Sequence, residues 1–184
     1  MIDAVHATRA WVEHAVVGLN LCPFAKAPMV KGQIEYVLSD TTDPRVLLEE
    51  LCVQMRRLVA TDAALIETTL LIHPNVLGDF DDFNDFLDAA DAALEDLGLD
   101  GVLQIASFHP HYQFEGTAPD DLGNASNRSP HPTLHLLREA SVERAVEAFP
   151  EAEAIFENNL RTLDALGAEG WAALQGRLTR VRPA

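Results

Sequence analysis

Between Gln33 and Phe108 the apolar residues switch repeatedly between a period of two and a helical period, and this alternation restricts the fold more than any other feature. Gln33 to Ser39 places Ile34, Tyr36 and Leu38 on one side, the pattern of a strand. Asp43-Pro44 then supplies an N-cap and a first-turn proline for a helix whose stripe is Leu48, Leu51, Cys52, Met55, Leu58 and Val59. Glu67 to His73 reads as a second strand. Asp79 to Leu97 reads as a helix with Phe80, Phe83, Phe86, Leu87, Ala90, Ala93 and Leu94 inside, ended by Gly98 and Gly101. Val102 to Phe108 is a third strand, apolar enough to be covered on both faces.

Either side of this unit the chain is helical. Asp3 caps a helix running to about Leu19, and a loop through Leu21-Cys22-Pro23-Phe24 leads to the first strand. Beyond Phe108, a loop rich in Gly, Asn, Ser and Pro extends to about Pro130, a length that marks functional or unstructured segments. Pro132 is expected to start a short helix and Ser141 another. Pro150 should open a longer helix to Leu166, closed by Gly167, and Glu169 to Leu178 a last one. No linker or composition shift divides the 184 residues, which read as a single domain, 1–184. The expected class is α/β or α+β: a small, mainly three-stranded, parallel or mixed sheet flanked by helices, with a C-terminal helical layer. A ferredoxin-like antiparallel sheet lacking a strand is the alternative.

Charge narrows the partners. The net charge is −16, from 29 acids and 13 bases, and no basic patch relieves it. Nucleic acids and anionic membrane surfaces would be repelled, so neither is an expected partner. Cys22 and Cys52 form no C-x-x-C pair, the first residues carry no secretory pattern, and no apolar run spans a bilayer. A cytoplasmic location with reduced thiols is the expectation.

Chemistry concentrates at two echoing segments. Leu70-Leu71-Ile72-His73-Pro74 and Ile105-Ala106-Ser107-Phe108-His109-Pro110 are both apolar strands ending in His-Pro. If the strands are parallel neighbours, His73 and His109 share the carboxyl edge of the sheet, where open α/β sheets bind ligands. His111 would join them from two residues on. Three imidazoles with an open position suit zinc, iron or another first-row metal. The plain structural reading is that a histidine before proline hydrogen-bonds a loop carbonyl. His131 and His135 are four apart, but Pro132 at the first helical position would make His131 a cap and leave His135 for packing.

Asn124-Ala125-Ser126-Asn127-Arg128-Ser129-Pro130 is a polar stretch before an expected helix start that could hold an anionic ligand, with Arg128 as a bidentate clamp; ordinary turn and capping chemistry is the other reading. Cys52 lies on a core stripe and reads as an inert thiol. Cys22 lies in a loop with Lys26 nearby, so it reads either as a nucleophile paired with a histidine or as a small buried residue. The aspartates of the third helix read as a solvated face, without the spacing of a calcium loop.

Two strings carry a resemblance: Gly18-Leu19-Asn20-Leu21-Cys22-Pro23-Phe24-Ala25, and Phe108-His109-Pro110-His111-Tyr112-Gln113-Phe114 together with Asn127-Arg128-Ser129-Pro130-His131-Pro132-Thr133-Leu134-His135-Leu136-Leu137-Arg138-Glu139. Over nearly its whole length the chain resembles a bacterial family of uncharacterised proteins, known as a domain of unknown function. The resemblance implies weight for Cys22, Pro23, Phe24, His109, Pro110, Asn127, Arg128, Ser129, His135 and Arg138. The family pattern has tyrosine where this chain has His131, which lowers His131 as a ligand. It also implies that the Cys22 loop and the long loop meet in one site.

Three functional expectations follow. The first is an enzyme acting on a small anionic molecule, with His109 and either His73 or His111 binding a divalent metal or serving as acid and base, and Asn127, Arg128, Ser129 and Arg138 positioning the substrate. The second is a metal-independent enzyme pairing Cys22 with His109 or His135. The third is a non-catalytic protein that binds a metabolite or partner.

Overall fold

The computed structural model describes residues 3–148 and 154–178. Its centre is a sheet of β1 (Ile34–Leu38), β2 (Thr68–Ile72), β3 (Leu103–Phe108) and β4 (Thr133–Arg138), in the spatial order β1-β2-β4-β3. β1 and β2 are parallel, while β4 runs antiparallel to both β2 and β3. The protein is an α+β fold with a mixed sheet flanked by helices.

Four strands, rather than three, are present because the segment after Pro132 is extended. Leu134 and Leu136 alternate with Thr133 and His135, and pairing on both sides to β2 and β3 outweighs the helix start that Pro132 suggested. The proline sits just outside the strand, where its missing N–H costs no ladder bond. β2 and β3 therefore run parallel with β4 between them; they are not neighbours.

Helix placement follows from crossover handedness. β1 leads through α3 (Pro44–Ala60) to β2, and β2 leads through α4 (Phe80–Asp96) to β3. Both connections move the same way across the sheet, so right-handed crossovers put both helices on one face. Their Leu47, Leu51, Met55, Phe83, Phe86 and Ala90 bury Leu71, Leu103, Leu134 and Leu136. Each fully buried leucine contributes about 2 kcal/mol of transfer free energy. Both helices start as the sequence implied. Asp43 accepts from Arg45 N at 2.9 Å, and Asp79 accepts from Asp81 N and Asp82 N at 3.0 and 3.3 Å.

The opposite face is covered by the chain ends. Trp11 and Ala15 from the N-terminal helix, and Leu163, Trp171 and Leu174 from α6 (Ile155–Leu178), pack with Leu70, Ile34, Tyr36 and Phe108. The N-terminal helix is not uniform. α1 (Ala4–Trp11) widens into a π-helical stretch over Val12–Val17, where Gly18 N bonds Glu13 O, and the widening turns both Val12 and Ala15 inward. A short α2 (Lys26–Val30) follows the Cys22 loop. α5 (Glu139–Ala148) begins directly after β4, two residues before Ser141. α6 is broken at Gly167, whose φ of 70° ends the first half as expected. The helix start expected at Pro150 lies outside the described residues. Among the described residues no helix is long and apolar enough to cross a membrane.

Candidate functional site

His73 and His109 follow the last residues of β2 and β3 and reach the same sheet edge. Both are fully buried. Each ends its strand by bonding the loop that returns to β4: His73 N donates to Pro132 O and His109 N to Asn127 O. Their side chains lie toward α4, where Phe83 stacks with both rings at centroid distances of 5.7 and 5.1 Å. Phe80 adds contacts to His109 and Tyr112 at 5.4 and 5.3 Å.

The hydrogen bonds assign the tautomers. His73 Nδ1 lies 3.1 Å from Val76 O, so it carries the proton and donates. Its Nε2 is then a bare lone pair, buried and without a hydrogen-bond partner among the described residues. His109 is fully committed: Nε2 donates to Leu77 O at 3.2 Å, and Nδ1 accepts from His111 N at 3.0 Å. Burial holds His73 neutral and lowers its pKa to about 4, helped by the nearby His109 and opposed by the Val76 bond. Burial also lowers His109, against its bond to Leu77.

The two imidazoles thus clasp consecutive carbonyls of the β2–α4 loop. Within that loop Leu77 adopts φ of 56°, a left-handed conformation costly for leucine. His111 is exposed, with its ring 5.8 Å from that of His109. His131 stands at the start of β4 on the same edge, and burial lowers its pKa. It caps no helix; its carbonyl accepts from Ser129 Oγ and Thr133 Oγ1.

This edge brings together His73, His109 and His111, the three residues expected to hold zinc or iron. It leaves His109 without a free nitrogen. Among the described residues no group of three or more His, Cys, Asp or Glu side chains could hold a metal ion. The loop carbonyls hold the imidazoles, as the plain structural reading of a His-Pro strand end has it.

The residues expected to bind substrate hydrogen-bond the backbone. Arg128 Nε and Nη2 donate to Tyr112 O and Pro119 O at 3.1 and 2.6 Å, tying together the loop between β3 and β4. Asn127 Nδ2 donates to Ser107 O at 3.4 Å, and its side-chain oxygen accepts from Ser126 Oγ. Ser129, nearly fully buried, spends its hydroxyl on His131 O. Arg138 is far from this edge, at the end of β4: its Nη2 reaches Leu58 O, Thr61 O and Ile66 O at 2.7, 2.7 and 2.9 Å and closes the C-terminus of α3.

Cys22 and His135 belong to the other side of the sheet. Alternation along β4 sends Leu134 and Leu136 toward α3 and α4, and His135 the opposite way. His135 Nε2 donates to Thr68 Oγ1 at 2.7 Å, and Thr68 in turn donates to Leu136 O. Burial lowers its pKa to about 4. Cys22 follows Leu21, which packs in the α1–α6 layer, and Asn159 Nδ2 of α6 donates to Leu21 O. Burial raises the Cys22 thiol, with the Phe24 and Ala25 amides opposing. Among the described residues no hydrogen bond joins this thiol to an imidazole. Cys52 is a free thiol packed against the α3–α4 core.

Sequence reasoning did not single out Phe80, Phe83 and Tyr112 as site residues. The spacing Phe80 to Phe83, in the first turn of a helix opening at the same edge as the His-Pro motifs, is the signal that places them there. Asn124 opens the polar stretch in which the sequence suggests an anion site. It is fully buried and organises the long loop, accepting from Phe114 N and Thr117 Oγ1 and donating to Ala118 O. Nothing in its sequence neighbourhood separates it from Asn127.

The fold and this edge define an α+β protein with an imidazole and aromatic cluster at the carboxyl ends of its parallel strands. The chain belongs to the family described as a protein of unknown function (DUF1415), whose model matches residues 3–173. No curated protein and no solved structure matches it.

Proposed function

We propose that this protein is an enzyme that moves a proton on a small anionic molecule bound at the β2–β3 edge, without a metal. One observation carries the reading: His73 Nε2 is a buried, tautomer-fixed lone pair with no partner. Buried polar atoms are nearly always satisfied, and an exception beside a cluster of aromatic rings and a strained loop supports a functional role. A neutral imidazole in this setting accepts a proton only transiently, because burial makes its conjugate acid strong. Arg128 keeps Nη1 for the ligand's acid group, since the loop carbonyls take Nε and Nη2. His111 is the exposed imidazole through which a proton would exchange with solvent. Substrate would reach His73 as the β2–α4 loop opens, and the left-handed Leu77 lowers the cost of that opening.

The test screens small carboxylic acids and phosphate esters for thermal stabilisation of the protein, then follows proton exchange or turnover of the hits. The reading expects His73→Gln to remove turnover while binding persists, and chelators to have no effect. Turnover that survives His73→Gln, or that depends on an added metal ion, would contradict it.

A further inference from the structure

A different part of the molecule presents an open strand edge. Among the described residues β1 is an edge strand that pairs with β2 alone. Ser39 N donates to Ile72 O, and Gln33 O accepts from Thr68 N, so the odd-numbered residues of this stretch face β2. Parity leaves the backbone groups of Ile34, Tyr36 and Leu38 directed to the open edge. A cavity lies on each face of this strand. One, of about 300 Å³, is bounded by Arg9, Glu13, Met29, Ile34 and Tyr36. The other, of about 400 Å³, is bounded by Val37, Val46, Glu49, Glu50, Val53 and Gln54.

Two features of the second cavity indicate what fills it. Glu50 Oε2 and Gln54 Oε1, one helical turn apart on α3, are buried acceptors without a hydrogen-bond partner. Around them, the apolar side chains of Leu38, Val46 and Val53 are exposed at 39%, 39% and 55%. Exposed apolar residues that rim unsatisfied acceptors match an interface whose other half supplies methyl groups and an N–H donor.

We propose that β1 pairs with an extended peptide segment of a partner protein, a segment that carries Lys or Arg at alternate positions. The segment adds a fifth strand to the sheet. Alternate side chains then enter the two cavities. A cationic head on the α3 side meets Glu50 and Gln54, and its aliphatic stem covers Val46 and Val53. The net charge of −16 favours a basic segment and opposes a second copy of this chain.

Fluorescence anisotropy with a labelled peptide of alternating Lys and Val tests this on the intact protein. The controls are a Glu–Val peptide and a Lys–Val peptide N-methylated at alternate residues, which cannot pair with a strand edge. Saturable binding of the unmodified Lys–Val peptide is expected. Glu50→Gln and Val53→Lys should each weaken it about tenfold, with thermal melts confirming that both variants fold. Absent binding, equal binding of the Glu–Val or methylated peptide, or indifference to both substitutions would overturn the proposal. So would a wild-type dimer in sedimentation that Val53→Lys dissolves, which would assign the edge to a second copy.

Discussion

His73 and His109, arriving on parallel strands one strand apart, bond consecutive carbonyls of one loop: His73 Nδ1 donates to Val76 O and His109 Nε2 to Leu77 O. The pair fixes both tautomers, holds Leu77 in a left-handed conformation and leaves His73 Nε2 bare.

The protein should lose stability in mild acid. His73 and His135 have pKa values lowered by burial to about 4. The unfolded chain, with histidines near 6.5, therefore binds more protons below that pH. Their contribution is complete above about pH 6.5 and is lost as pH falls toward 4, at about 3 kcal/mol for each group. Urea unfolding from pH 7 to pH 4.5 should show this slope. His135→Gln, which keeps a donor for Thr68, should flatten it; an unchanged slope would show that His135 does not titrate as described.

Arg138→Ala should destabilise the protein by about 3 kcal/mol, because one guanidinium group serves the Leu58 and Thr61 carbonyls at the end of α3 and the Ile66 carbonyl ahead of β2. Ligand affinity at the imidazole edge, corrected for unfolded protein, should not change. A large affinity loss in a variant of normal stability would return Arg138 to the binding site.

Arg128→Ala should loosen the loop between β3 and β4 before it unfolds the protein, since both bonds from Arg128 lie within that segment. Limited proteolysis should cut within residues 109–132 several-fold faster than in the wild type. Equal cleavage rates would mean that Asn124 alone organises the loop.

Cys22 should react with iodoacetamide more slowly than a free thiol at neutral pH, because burial raises its pKa. Denaturant should remove the difference. Fast alkylation coupled to loss of turnover would instead favour Cys22 as a nucleophile.

Much of this architecture is legible in the sequence. The capping aspartates at 43 and 79 and the period-two and helical stripes between Gln33 and Phe108 define three strands and two helices in their correct order. β4 escaped because Pro132 imitates a helix start, while the pairing that makes Thr133–Arg138 a strand is entirely with residues distant in sequence. Convergence of His73, His109 and His111 is also legible, since parallel strands ending in His-Pro must share an edge. What each nitrogen bonds is not. The Val76 and Leu77 carbonyls that take them have no signature in a sequence, nor do the loop carbonyls that occupy Arg128 and Arg138. A polar side chain ahead of an expected helix looks the same whether it meets a ligand or its own backbone.

The central claim is the state of His73, and nitrogen-15 NMR of histidine-labelled protein reads it directly. The expected result is a neutral ring protonated at Nδ1 from pH 7 down to about pH 5, with titration near 4 and an unbonded Nε2 shift. A ring protonated at Nε2, or one that titrates near 6.5, would contradict it.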